Sequence, residues 1–310
     1  MIKKKIEGIS NKELFELRSK DKLYSFILVD ANIRGTIIYG THLVNEMRIN
    51  HELGILEALV LGHAYMGIAL MTSNIKKNDR LALKINCSGP IKGLYVESNS
   101  YGEVRGHLKA NPIPIEKPLD NFNLSPFFGN GYLEVIHYPE YAKQPYIGHV
   151  KLKYKNIASD LANYYIESEQ TPTYFNLSIK FDKNGVITGA GGLLLQTLPD
   201  ANNEIVDKLE NIVKNFPSIG EEFSKNNTPE YLINKNLKEF QPKILSNKRI
   251  EFFCPCNERS MMNMISNLEK NTKEDIIRNG PFPLEIKCHN CNTIYSFSRK
   301  DLQKISRSSY

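Results

Sequence analysis

The chain has 310 residues, 41% apolar and 24% charged, with 19 Gly and 15 Pro. That is an ordinary globular composition at about two domains' length, which excludes disordered, collagenous and disulfide-dense scaffolds; a mean hydropathy of -0.37 excludes a multispanning membrane protein. The net charge is +6, and +5 of it falls in residues 243–310, where 12 basic residues stand against 7 acidic ones. They are scattered rather than gathered in a stripe, so a nucleic-acid surface is open but unforced.

The expected fold class is α+β. Residues 1–20 begin basic with no apolar run behind, so no secretory signal is read and a cytoplasmic location is expected. Two extended runs, 23–29 and 36–39, are joined by a turn-like Asn32-Ile33-Arg34-Gly35. Leu43, Met47, Leu53, Leu56, Leu59 and Val60 then fall near helical spacing, with an interruption at Gly54. The longest uncharged run, 58–75, holds His63 and two Gly, and is read as a core helix rather than a membrane span.

Three alternating segments, 80–86, 93–98 and 103–108, are separated by turn residues and predict an antiparallel meander. Residues 111–131 carry four Pro without periodicity and are expected to be an irregular surface excursion. Strands resume at 132–138 and 149–154, a helix covers 157–168, and 174–181 pairs with 186–189 across Asp182-Lys183-Asn184-Gly185. Residues 1–200 are thus expected to be one large domain with an antiparallel sheet and packed helices. From there Ile205, Leu209, Ile212 and Phe216 fall on one helical face until Pro217, and Ile219 and Phe223 extend it; core packing is the preferred reading over partner binding. Residues 201–248 are read as a helical linker region, with 241–248 as the connection into a small tail domain, 249–310.

Four of the five cysteines lie in that tail, as Cys254-Pro255-Cys256 and, 31 residues later, Cys288-His289-Asn290-Cys291. Two close pairs from separate segments can close a tetrahedral four-thiolate Zn(II) site, each pair acting as a chelate. His289 sits inside the second pair's turn and is expected to point outward. Four thiolates around Zn(II) carry a formal charge of -2, which Lys248, Arg249, Arg259 and Lys287 could offset. The single residue between Cys254 and Cys256 is shorter than usual structural spacing, and if the metal leaves, each pair can close on itself. Structural zinc contributes about 10–16 kcal/mol in small modules against about 5–15 kcal/mol for whole domains, so its loss could unfold the tail. From spacing alone the preferred reading remains a ribbon whose metal only holds its shape, with Phe252, Phe253, Tyr295 and Phe297 as its core.

Enzyme signatures are absent. His51-Glu52-Leu53-Gly54-Ile55 has Ile where a zinc-protease helix needs its second His. Gly189-Ala190-Gly191-Gly192 lacks the third Gly of a dinucleotide loop, and neither a phosphate loop nor a serine-hydrolase elbow occurs. Cys87 is read as an inert half-buried thiol rather than a nucleophile.

Val104-Arg105-Gly106, Gly131-Tyr132-Leu133, Pro145-Tyr146-Ile147-Gly148, Ser168-Glu169-Gln170, the run from Gly191 to Gln196, and above all Phe253-Cys254-Pro255-Cys256 with the Cys288/Cys291 pair resemble the redox-regulated heat-shock chaperones of the 33 kDa chaperonin family. The resemblance spans nearly the whole chain. It implies an ATP-independent holdase that is inactive when reduced and holding one zinc per chain. Oxidation would pair Cys254 with Cys256 and Cys288 with Cys291, release zinc, unfold tail and linker, and expose surface for unfolding client proteins. It also implies a homodimer on activation and no membrane or specific nucleic acid, and it suggests that the face from Ile205 to Phe223 is docked when reduced and exposed when oxidised. Departures are Asn257 in place of a common Ser, a longer 111–131 excursion, and KEDIIRN at 273–279 in place of a Glu-Leu-rich stretch. The alternative is a zinc-ribbon protein that binds nucleic acid, supported by the basic tail and its aromatics.

Overall fold

The computed structural model describes residues 1–6, 10–76, 78–115, 121, 123–199 and 203–307. Helix α1 (Asn11–Lys20) opens at a capping box between Ser10 and Glu13. A hairpin of β1 (Lys22–Leu28) and β2 (Ile33–Tyr39) follows, then α2 (Thr41–His51) and α3 (Ile55–Met71). The meander is β3 (Arg80–Cys87), β4 (Gly93–Asn99) and β5 (Glu103–Leu108); beyond it lie α4 (Ser125–Phe128), β6 (Gly131–Tyr138), β7 (Tyr146–Lys151), α5 (Ile157–Glu167), β8 (Thr173–Phe181) and β9 (Ile187–Thr197). Helices α6 (Asn203–Lys214), α7 (Ile219–Ser224) and α8 (Pro229–Leu237) lead to β10 (Pro242–Arg249) and β11 (Glu251–Phe252). The tail adds α9 (Glu258–Ser266), α10 (Lys270–Asn279), β12 (Leu284–Lys287), β13 (Ile294–Phe297) and α11 (Arg299–Arg307).

The architecture is α+β, as expected. One sheet has the order β10-β1-β2-β9-β8 and the other β11-β5-β4-β3-β6-β7, while β12 and β13 form a ribbon. All pairings are antiparallel except that of β11 with β5. Helix α3 is apolar nearly all round because it is buried all round. The stretch from Ile55 to Asn74 is long and apolar enough to cross a membrane, but 89% of its most apolar window is buried inside the body. It packs between the two sheets, where residues such as Tyr65, Ile68 and Leu70 are fully enclosed. Each buried apolar side chain of this size contributes about 1.5–3 kcal/mol.

A second core fills the opposite face of the first sheet, where Phe26, Ile37, Leu193 and Leu195 meet Leu209, Val213, Ile219, Phe223 and Leu232. Strand β9 is therefore covered on both faces, which explains its unbroken apolar run. Its glycines are spacers under α7: a Cβ on Gly189 would lie 2.0 Å from the Gly220 carbonyl oxygen, and one on Gly191 would lie 2.3 Å from the Phe223 ring. The Gly-rich stretch thus permits close helix-on-sheet packing.

Several boundaries differ from expectation, each for a visible reason. The first turn lies at 29–32, with Asn32 at φ 49°, so Gly35 falls within β2, where its missing side chain makes room for the Phe26 ring. Strand β7 begins at Tyr146 rather than 149 and ends at Lys151, because the Asp160 carboxylate accepts hydrogen bonds from the Lys153, Tyr154 and Asn156 amides and draws the chain toward α5. The described part of the 111–131 excursion is not merely superficial. Ile113, Leu124 and Phe128 are buried, the Ile113 amide donates to buried Glu57 at 2.7 Å, and the Asn111 amide group donates to the His51 carbonyl. Residues 241–248, expected as a loose connection, instead form β10, paired antiparallel along the whole of β1. Its side chains are almost all exposed, as suits a polar edge strand.

Candidate metal centre

Strand β11 brings the first cysteine arm onto the body. It pairs in parallel with β5, Phe252 opposite Val104, and the Phe253 amide donates to the Val104 carbonyl at 3.1 Å. Phe252 is fully buried, with its ring near those of Tyr65 and His51. Cys254 and Cys256 follow, and Asn257 then caps α9: its side chain accepts from the Ser260 amide at 2.8 Å while its own amide donates to the Ser260 hydroxyl. Asn257 therefore still supplies a side-chain oxygen suited to an N-cap.

The second arm is a tight turn. The Asn292 amide donates to the Cys288 carbonyl at 2.7 Å and the Cys288 amide to the Thr293 carbonyl at 2.9 Å. Asn292 takes the left-handed conformation, φ 60°, which Asn tolerates better than most residues. The Gly106 amide donates to the Asn290 carbonyl at 3.2 Å. On α2, the Asn50 side chain donates to the Cys291 carbonyl at 3.1 Å and accepts from the Lys4 amide, and the Asn292 side chain donates to the Asn50 carbonyl.

These contacts bring the sulfurs of Cys254, Cys256, Cys288 and Cys291 within 4.8 Å of one another, positioned to hold a metal ion. The nearest cross-arm separations are 3.8 Å for Cys254–Cys288 and 3.3 Å for Cys256–Cys291. Tyr295 Oη and Thr293 Oγ1 each lie 3.2 Å from a sulfur, those of Cys256 and Cys291. Crowding makes the sulfurs compete for charge. Hydrogen bonds from Cys288 and Cys291, with a smaller contribution from the Arg105 guanidinium, hold the Cys254 thiol well below its ordinary range, and the Cys288 thiol, donating to Cys254, is pushed up to about 11. A cation bound here must displace thiol protons.

Arg105, absent from the expected set of counter-charges, places a basic side chain at the cluster: its Nη1 lies 3.6 Å from Cys254 Sγ. Of the four cations suggested by the sequence, Lys248 donates instead to the Thr72 and Ser100 carbonyls, and Arg249 pairs with Glu251 at 3.0 Å. His289 is exposed, its ring 5.6 Å from that of His107, and stands outside the four-sulfur group. Cys87 ends β3, half-buried, and is not part of the four-sulfur group. Tyr295 and Phe297 are buried in the tail core with Met261, Ile265 and Leu302, so they offer no open stacking platform. On the other side of the body, Leu209, Ile219 and Phe223 are buried and Ile212 and Phe216 partly so, with Val213 completing the face; the Ile205 side chain lies outside the described residues.

His51, 6% exposed at the end of α2, is held neutral by burial, its pKa lowered to about 4. Unfolded, it would take a proton near 6.5. Its contribution is therefore complete above pH 6.5 and is lost as pH falls toward 4, about 3 kcal/mol in all. Urea unfolding of His51→Leu should accordingly show a shallower loss of stability between pH 6.5 and 4 than the parent chain; parallel pH profiles would refute this.

Residues 21–298 match the family model described as Hsp33 protein. The chain is 30% identical over 287 residues to the 33 kDa chaperonin of Desulforamulus reducens, covering 92% of this chain and 97% of that one. It is 33% identical over 289 residues to that of Ruminiclostridium cellulolyticum, again covering 92% and 97%. The crystal structure of the Thermotoga maritima 33 kDa chaperonin superposes with a TM-score of 0.83 at 29% identity, covering 93% of this chain and 98% of that one. A match over most of the chain, a shared fold and a four-cysteine centre lead to one conclusion: the chain belongs to the Hsp33 chaperone family.

Proposed function

We propose that this protein is a redox-regulated, ATP-independent holdase of the cytoplasm, switched on by oxidants through loss of zinc from the four-cysteine centre. The observation that carries the reading is the convergence of four sulfurs within 4.8 Å from two arms that also pin the tail to the body. The donor set suits Zn(II): it is all thiol, and a ZnS4 tetrahedron with bonds of about 2.3 Å sets its sulfurs about 3.8 Å apart, close to the Cys254–Cys288 separation. Bound there, zinc would hold four thiolates together and so tie both arms into one folded tail.

Each disulfide forms when two thiolates give two electrons to one molecule of peroxide, which takes up two protons and leaves as two waters. Pairing within each arm, Cys254 with Cys256 and Cys288 with Cys291, removes all four ligands and leaves the arms free to separate. Pairing across the arms would keep residues 257–287 closed in a loop. In this reading residues 1–200 are the body, 249–310 the switch, and 201–248, with β10, the segment released after it. The face bearing Leu209, Ile212, Phe216, Ile219 and Phe223, with Ile205, would then meet unfolding clients, and the open form would dimerise.

The test is light scattering from a heat-unfolding reporter protein. Reduced, zinc-loaded protein should leave its aggregation unchanged, and the same protein after peroxide at mild heat should suppress it at near-equimolar ratio. Aggregation unaffected despite complete zinc release would rule the proposal out, and tight, steeply salt-sensitive binding of RNA by the reduced form would favour a nucleic-acid role instead.

A further inference from the structure

We infer that Arg105 is the fixed counter-cation of the cysteine centre, positioned by Glu97, and that it governs how firmly the centre holds its metal. On the redox reading above, it thereby also sets the amount of oxidant needed to open the switch.

The two cysteine arms meet β5 at consecutive points: the first at Val104, through the Phe253 amide, the second at Gly106, through the Asn290 carbonyl. The residue between them is Arg105. Alternation along β5 buries Val104, Gly106 and Leu108 and leaves Arg105 on the opposite face of the strand whose edge the arms join. Its guanidinium is held in one orientation, since Nε and Nη2 both donate to Glu97 Oε1, leaving Nη1 directed at Cys254 Sγ at 3.6 Å. Glu97 is itself only 5% exposed, and is fixed by the Tyr95 hydroxyl at 2.6 Å and by Arg80 Nη1 at 3.4 Å.

The charge balance gives this arrangement a purpose. Four thiolates around a divalent cation leave -2 in a largely buried site, and such a charge is costly without a partner. Two guanidiniums bonded to one carboxylate leave +1 in this group, which is built on strands of the body sheet rather than on the tail. A planar fork pinned by its other nitrogens also loses little entropy on meeting the sulfur. The group borders a cavity of about 350 Å³ lined by Arg80, Glu97, Arg105 and Phe253, with Glu103 and Glu140 also on its wall. The Arg105 side chain is 19% exposed, held between Glu97 and Cys254. Because Arg105 belongs to the body and Cys254 to the tail, the same contact joins the state of the metal centre to tail docking.

The test compares zinc retention by the reduced full chain, measured by competition with a chromophoric chelator, in Arg105→Met, Arg105→Lys and Glu97→Gln. Loss of a charge-assisted contact should weaken zinc binding in Arg105→Met about 10- to 100-fold, and Arg105→Lys should recover part of that loss. Glu97→Gln keeps an acceptor but removes the cancelling charge, so it should bind zinc as well as the parent or more tightly. A purely architectural role would weaken both Arg105→Met and Glu97→Gln. The inference is overturned if Arg105→Met stays within twofold of the parent, if Glu97→Gln weakens alongside it, or if Arg105→Lys recovers nothing. Peroxide titration of the same variants should show Arg105→Met releasing zinc at lower oxidant. Altered zinc affinity with no chaperone activity in any oxidised form would leave this inference standing and reject the redox reading.

Discussion

Stripping zinc from the reduced protein with a strong chelator is expected to unfold the tail from Cys254 onward while the body remains folded. The tail is joined to the body by a few backbone and Asn side-chain contacts, and it has little apolar core of its own. Its buried residues are Met261, Ile265, Tyr295, Phe297 and Leu302, with Cys254, Cys256 and Cys291, at the edge of the body's core; α10 packs only Ile276 and Ile277 partly against them, and β12 with β13 is a two-stranded ribbon. Two-stranded ribbons of this kind are marginal alone. Against that, structural zinc contributes about 10–16 kcal/mol, more than most whole domains retain as net stability. The body keeps two cores and both large sheets. Hydrogen exchange should therefore show amides of β12, β13 and α9 losing protection on chelation, while those of β3 and β9 keep it. Cys288→Ser should produce the same pattern without chelator, since one lost ligand opens the tetrahedron. Full protection of the ribbon in metal-free protein would show that packing alone holds the tail.

Phe223→Ala should cost about 3–5 kcal/mol and loosen the face proposed to meet clients. Phe223 is 1% exposed, its ring centroid lies 4.4 Å from that of Tyr39, and it covers Gly191, so truncation leaves a void over a residue with no side chain of its own. Helix α7 is only six residues long and relies on this contact and on Ile219 to stay on β9. The expected result is a lower urea midpoint, together with partial suppression of reporter aggregation by the reduced, zinc-loaded variant. A variant that is destabilised to this degree yet wholly inactive until oxidised would argue that α7 is packing alone and that clients bind elsewhere.

The four-cysteine cluster was legible because chelating spacing is local: Cys-x-Cys and Cys-x-x-Cys state their chemistry within three or four residues, whatever the distance between the pairs. The helix from Ile55 to Met71 was legible for a related reason, since its apolar content exceeds what a surface helix needs. Arg105 was not, because it meets Cys254 only after β11 pairs with β5, a contact spanning 149 positions that no local pattern announces. Strand β10 was hidden for the opposite reason. An edge strand with exposed side chains carries no alternation, and its order comes from backbone pairing with β1. The packing use of the β9 glycines is not legible locally, because it depends on α7, which arrives 30 residues later.

On the redox reading, coupled metal loss and thiol oxidation at one centre is the switch. It is tested most directly by titrating the reduced protein with peroxide at mild heat while following bound zinc, free thiols and reporter aggregation in the same samples. Zinc should fall from one per chain to none as free thiols fall from five toward one, Cys87 remaining, with suppression of aggregation rising over the same oxidant range. Suppression that appears with zinc still bound and the four tail thiols still free would contradict it.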